Sequence, residues 1–204
     1  VLVSGGVDSV VLLGELLDQG REVHPIYVRS GFRWEKAELH WIRRILKTID
    51  GHRLKPLTVL RVPAAPVIDQ GHWSLSGRGV PSARAAWDSV YLPGRNLVLL
   101  SEAGVLCAER GVGALALAVL KGNPFSDATP KFFAIMSRAI TQATGSPLIV
   151  MAPYRALTKL QVVCRGRSLD LPLELTFSCI NPRGLKPCGK CSKCGERDEA
   201  LRLH

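Results

Sequence analysis

The sequence predicts an α/β domain, a doubly wound parallel sheet covered by helices on both faces, with a metal-binding tail of four cysteines. Three observations predict it. Short apolar strand patterns alternate with helical ones along most of the chain. The first strand pattern runs into Ser4-Gly5-Gly6-Val7-Asp8-Ser9 and then a helix. Cys179, Cys188, Cys191 and Cys194 crowd near the end, with eight, two and two residues between them.

The 204 residues suit one domain with a small appendage, expected to divide into an α/β body over 1–175 and a cysteine segment over 176–204. A content of 47% hydrophobic and 22% charged residues excludes a disordered chain. No apolar run is long enough to cross a bilayer, and the N-terminus lacks the basic flank of a signal peptide, so a cytoplasmic protein with no membrane partner is expected. Only three strand residues precede the glycine loop, so further residues are expected ahead of Val1. A net charge of +10 draws anions. Because no Lys/Arg block interleaves with aromatics, nucleic acid is the minority reading.

In order, residues 1–3 are the first strand, and Val10, Leu13 and Leu17 mark a helix that stops at Gly20. Residues 23–28 form a second strand, which Pro25 assigns to an edge or irregular position. Leu39, Ile42, Leu46 and Ile49 form a helical core stripe, and residues 57–62 a third strand. Residues 63–93 lose periodicity and read as a lid or a homodimer contact, with His72, Trp73 and Trp87 anchoring the loop rather than stacking on a base. A helix over 97–109, a strand over 114–120, a helix opened by Pro130, a strand over 148–152 and a helix starting at Leu157 complete the body. In such a sheet ligands gather beyond the carboxyl ends of the strands, where the strand order reverses. The loops at 4–9, 30–33, 121–127 and 154–159 should therefore converge.

The glycine loop reads as an anion site. Gly5 and Gly6 let backbone N–H groups turn inward at a helix N-terminus, and Ser4 and Ser9 add hydroxyl donors. Asp8 repels a phosphate unless it caps the helix or shares a divalent cation, so a cation is expected. In the tail, Cys-x-x-Cys-x-x-Cys lets thiolates converge on one ion, with Cys179 as fourth ligand of a structural Zn²⁺. A redox dithiol or an iron–sulfur site is the alternative, and the lack of a proline after Cys194 favours zinc. Cys107 and Cys164 read as small buried hydrophobes.

The string Ser4 to Ser9 after a strand resembles the pyrophosphate loop of the PP-loop ATP pyrophosphatases. Taken with Pro93-Gly94-Arg95-Asn96, Leu157-Thr158-Lys159, Thr176-Phe177-Ser178-Cys179, the run from Pro187 to Cys194 and Arg197, nearly the whole chain resembles the 7-cyano-7-deazaguanine synthase family. The resemblance implies an adenine-nucleotide alpha-hydrolase-like, Rossmann-like fold. It also implies ATP-dependent adenylation of the carboxylate of 7-carboxy-7-deazaguanine, followed by capture with ammonia, first to the amide and then to the nitrile used for queuosine. By the same resemblance, Val3, Ser4, Gly5, Gly6, Val7, Asp8 and Ser9 hold the pyrophosphate end of ATP with Mg²⁺. Lys159 neutralises the leaving phosphates, Arg95 and Asn96 frame nucleotide or substrate, and Arg33 is the basic residue after the second strand. Where the family carries Tyr-Ser-Gly-Tyr-Pro-Asp-Cys-Arg, this chain has residues 121–130, so Asp127 is expected to meet the heterocycle, flanked by Asn123 and Phe125. The family's Gly-Gln-Arg-His loop is here Gly31-Phe32-Arg33-Trp34. These departures leave another carboxylate, a tRNA base or protein amine as acceptor, and a non-catalytic nucleotide-binding module, as alternatives.

Overall fold

The computed structural model describes residues 1–49, 51–63 and 67–202. Residues 64–66 of the expected lid, the last two residues of the cysteine segment and the Trp87 side chain lie outside the described residues. The elements are α1 (Val7–Asp18), β1 (Ile26–Arg29), α2 (Glu35–Thr48), β2 (Thr58–Arg61), the single turn α3 (Trp73–Ser76), α4 (Arg95–Glu109), β3 (Ala114–Ala116), α5 (Pro130–Thr144), β4 (Ile149–Met151), α6 (Lys159–Ser168) and α7 (Ser192–Arg202).

β1 pairs in parallel with β2, and β3 with β4. Residues 1–3 knit the two pairs together: Val3 N donates to Ile26 O at 2.9 Å, Ile26 N to Val1 O at 2.8 Å, and Leu2 N to Ala116 O at 2.9 Å. The order across the sheet is thus β2, β1, residues 1–3, β3, β4. The chain steps outward twice on one side of its first strand before crossing to the other, so the order reverses beside residues 1–3, where the glycine loop begins. β1 is therefore interior, not the edge that Pro25 suggested. Pro25 instead sits at a break ahead of the strand, between the Val23–Leu54 bridge and Ile26, and its carbonyl still accepts from Thr58 N at 2.9 Å.

Alternation along the strands sorts the core into two layers. Ile26, Val28 and Leu115 pack with Leu100, Ala103, Phe133, Met136 and Ile140 of α4 and α5. On the opposite face Ala116 packs with Val7, Val11, Val162 and Val163 of α1 and α6. Tyr27 joins Val3, Leu13, Leu39 and Ile42 of α1 and α2. Helices on both faces are the doubly wound arrangement. A Cβ on Gly166 would stand 2.7 Å from Val11 Cγ2, so only glycine lets α6 lie this close to α1. Cys107 is buried as expected, whereas Cys164 is exposed, because α6 turns that position away from Val162 and Val163.

The described part of the 63–93 loop is pinned to the body. Trp73 stacks on Trp34 with ring centroids 5.7 Å apart. Ser82 bridges Cys191, Ala83 N donates to Lys190 O at 3.1 Å, and Ser192 N donates to Pro81 O at 3.0 Å. The tail also ends in a helix, α7, that the periodicity did not reveal.

Candidate active site

At the switch point the chain opens a cavity of about 330 Å³. Of the residues expected there, Val3, Ser4, Gly6, Asp8, Ser9, Arg95, Asn96, Asn123, Phe125, Asp127 and Lys159 line it. Gly5 and Val7 lie behind it: Gly5 supports the loop in a left-handed conformation (φ 79°), and Val7 is fully buried in the core. Arg33 is not brought to the cavity. Its guanidinium reaches the exposed turn after α3 and donates to Ser76 O at 2.9 Å. The loop over 154–159 reaches the cavity through Lys159, whereas Tyr154 is buried and donates to Glu15.

Hydrogen bonds within the chain shape the loop. Ser4 N donates to Ser9 Oγ at 3.2 Å, and Ser9 Oγ donates to Gly6 O at 3.0 Å. Phe177 N donates to Gly5 O at 2.8 Å, so the segment leading into the cysteines clamps the turn. Gly6 caps α1 with no side-chain hydrogen bond, which presents the first-turn N–H groups and the positive end of the helix dipole to the cavity. A Cβ on Gly6 would lie 3.3 Å from Ser178 Oγ and 3.4 Å from Ser4 Oγ, so this is a cradle that a side chain would narrow.

Lys159 faces the loop from α6. A capping box holds its position: Thr158 Oγ1 accepts from Gln161 N at 3.3 Å, while Gln161 Oε1 accepts from Thr158 N at 2.8 Å. From there its Nζ donates to Asp8 Oδ2 at 2.7 Å and Oδ1 at 2.9 Å, and pairs with Glu196 Oε1 at 3.3 Å. Burial alone would lower the affinity of this amine for its proton, but Asp8 and then Glu196 outweigh it and hold the group above the ordinary lysine range. Glu196 also takes Lys193 at 2.8 Å. Burial pushes its carboxyl upward, and Lys159 and Lys193 together hold it below the usual range.

The opposite wall comes from α4 and the loop before α5. Asp127 Oδ2 accepts from Asn96 N at 2.9 Å, and Asn96 Nδ2 donates to Asp127 O at 3.0 Å, so the expected heterocycle partner also caps α4. Phe125 stacks on Tyr91 at 4.7 Å. Arg95 lies over Phe32 and Trp34, at 5.5 and 5.9 Å from their ring centres.

Several lining residues escaped the sequence reading. Glu196 and Lys193 arrive on α7. Tyr27 and Glu38 lie under the cavity floor, where Tyr27 Oη donates to Glu38 Oε2 at 2.6 Å. The signal for Glu38 was present: Trp34, Glu38 and Ile42 recur every four residues, which puts a carboxylate on a core stripe.

Cys179, Cys188, Cys191 and Cys194 offer sulfurs that all lie within 4.8 Å of one another. Cys191 and Cys179 are 3.9 Å apart, Cys188 and Cys194 4.0 Å. Asn181 N and Cys188 N donate to Cys179 Sγ at 3.3 and 3.2 Å, and Lys190 N to Cys188 Sγ at 3.4 Å, bonds that favour thiolates. The cluster can hold a metal ion.

The parallel sheet, the glycine loop at its switch point and the facing lysine define a doubly wound α/β protein with a polar site at its switch point. A family model described as queuosine biosynthesis protein QueC matches residues 1–204. The chain is 31% identical over 207 residues to 7-cyano-7-deazaguanine synthase 1 of Desulfitobacterium hafniense (strain Y51), covering 100% of this chain and 91% of that protein. The corresponding synthase of Hahella chejuensis (strain KCTC 2396) is 32% identical, covering 98% and 86%. That of Methanoculleus marisnigri (strain ATCC 35101 / DSM 1498 / JR1) is 30% identical, covering 98% and 92%. The chain belongs to the QueC family. Among solved structures it is similar to a 4-thiouridine synthetase in complex with RNA and bound ATP, with a TM-score of 0.49 and 15% identity, covering 98% of this chain and 48% of that one.

Proposed function

We propose that the protein is an ATP-dependent ligase that adenylates the carboxylate of 7-carboxy-7-deazaguanine and converts it with ammonia, through the amide, to 7-cyano-7-deazaguanine. The observation that carries this reading is the meeting of Lys159 with Asp8 at the open N-terminus of α1, in one cavity with Asp127 and Arg95, in a chain of the QueC family. The loop N–H groups and the Ser4 and Ser9 hydroxyls bind the phosphates of ATP. Lys159 stabilises the charge that builds as pyrophosphate departs, a fixed cation aimed at the developing anion. Asp8 is the loop carboxylate that would hold Mg²⁺, which would supply charge neutralisation. Arg95 and Asn96 border the nucleotide and the acid, and Asn123, Phe125 and Asp127 supply the face for the heterocycle.

The four cysteines take Zn²⁺. A tetrahedron of sulfurs at about 2.3 Å from zinc has edges of roughly 3.8 Å, close to the two shortest separations seen. With four thiolates from the chain to hold it, the ion would be structural. Its thiolates suit a reducing cytoplasm, and the described residues contain no helix long and apolar enough to cross a membrane.

The test is incubation with ATP, Mg²⁺, ammonium and 7-carboxy-7-deazaguanine. AMP and pyrophosphate should appear only when the acid is present; release of ADP, or no dependence on the acid, overturns the reading.

A further inference from the structure

Glu38 has no part in the scheme above, yet it is the most unusual carboxyl group in the cavity. It is 7% exposed and lines the cavity from α2, close behind the glycine loop: a Cβ on Gly5 would stand 3.6 Å from its backbone oxygen. Among the described residues its carboxylate accepts one hydrogen bond, from Tyr27 Oη to Oε2 at 2.6 Å, and no lysine or arginine forms an ion pair with it. Its other oxygen, Oε1, is not among the buried polar atoms left without a partner, which leaves it open to the cavity that Glu38 lines. Its neighbours are Tyr27 from β1, Glu35 from its own helix and Arg95 from α4.

A buried carboxyl is usually paired or hydrogen-bonded on both oxygens. Glu35, one turn earlier on the same helix, shows the ordinary arrangement. It accepts from Ser30 N and Phe32 N and pairs with Arg29 at 3.3 Å, which fully accounts for it as a brace of the loop after β1. Glu38 braces nothing comparable. Burial pushes its carboxyl up to about 7, with Arg95 and Tyr27 pulling the other way, so it exchanges a proton at neutral pH.

We propose that Glu38 accepts the proton lost by the nitrogen nucleophile when ammonia attacks the adenylated carboxyl carbon. This rests on the ligase reading above. In the step, the carbon–nitrogen bond forms and the bond from that carbon to the phosphate oxygen breaks, AMP leaving with the electron pair. One N–H proton passes to the Glu38 carboxylate and later to water. The products are the amide and AMP, and no other reactant is required. Tyr27 is a positioning residue that orients the carboxylate and favours its charged form.

The experiment separates the two halves of the reaction. Acid-dependent exchange of labelled pyrophosphate into ATP reports adenylation, and amide formation at a fixed concentration of free ammonia reports capture. Glu38→Gln should lower capture about 10²- to 10⁴-fold more than exchange and remove the rise of capture with pH near 7. Tyr27→Phe should lower capture more than exchange, though less than Glu38→Gln does, and move that rise to higher pH, because the lost donor oriented the carboxylate and favoured its charge. Equal losses in both halves for Glu38→Gln, or an unmoved pH profile in Tyr27→Phe, overturn the proposal while leaving the ligase reading intact. No acid-dependent exchange in the unaltered protein overturns the ligase reading, and the proposal with it.

Discussion

Lys159 and Asp8, 151 positions apart, meet at 2.7 Å across the mouth of the first helix. The pair joins the start of α1 to the start of α6, and Glu196 adds α7 at 3.3 Å. One amine thus gathers carboxylates from two other elements at the point where a polyphosphate is expected.

Removing that amine tests its role. Lys159→Ala should lower acid-dependent pyrophosphate exchange by about 10²- to 10³-fold, the usual scale for one well-aimed transition-state donor. Asp8 and Glu196 would then face each other without the cation, so thermal unfolding should show only a modest destabilisation while circular dichroism stays unchanged. An exchange rate within a few-fold of the original would remove Lys159 from the chemistry.

The two loop glycines should separate in behaviour. Gly5→Ala puts a side chain at φ 79° with its Cβ 2.9 Å from Ile42 Cγ1, and should cost about 1–3 kcal/mol of stability. Gly6→Ala has ordinary backbone angles, and its Cβ meets the Ser178 and Ser4 hydroxyls at 3.3 and 3.4 Å, with Phe177 O at an ordinary 3.9 Å. It should unfold like the original protein but bind ATP more weakly, as read by calorimetric titration. Equal effects of the two substitutions would contradict the division of labour.

Metal should be inseparable from stability. Cys191→Ala leaves three thiolates around the ion and an altered buried cluster, since Cys179, Cys191 and Cys194 pack with Phe32, Trp34 and Phe177. Loss of bound zinc by elemental analysis and a lowered unfolding temperature are expected together. A chelator should reproduce both in the unaltered protein.

Glu38 also predicts a pH dependence of stability. Its carboxyl titrates near 4.5 when unfolded and at about 7 when folded, so between those values the folded state binds more protons. Stability from this group is fully present below pH 4.5 and lost as pH rises through 7. Glu38→Gln should therefore unfold at higher denaturant than the original at pH 8, by roughly 3 kcal/mol at most, and the gap should close towards pH 4. A gap that does not depend on pH would show that the folded carboxyl titrates normally.

What could be read in advance followed local rules. The strand, glycine turn and helix at residues 1–18 obey backbone preferences that hold regardless of what packs on them. The four cysteines are recognisable because a metal cluster needs close sequence spacing. The misreadings come from long-range partners. Pro25 marks an irregular position as read, but the strand it precedes is interior rather than an edge, because residues 1–3 and β2 pair on either side of β1. Arg33 adjoins the cavity in sequence, yet its side chain follows the turn after α3. Glu196 gained its place only when α7, whose apolar pattern is weak, was set against α6. Trp41 gave no sequence signal at all, although its Nε1 donates to Leu185 O at 2.8 Å across 144 positions.

The bond from Phe177 N to Gly5 O has a consequence for biosynthesis. A ribosome delivers the first turn early, but its clasp is encoded more than a hundred codons later. The nascent chain must hold an unfinished glycine turn until Phe177 clears the exit tunnel, so a truncated translation product carries the signature sequence without its finished shape.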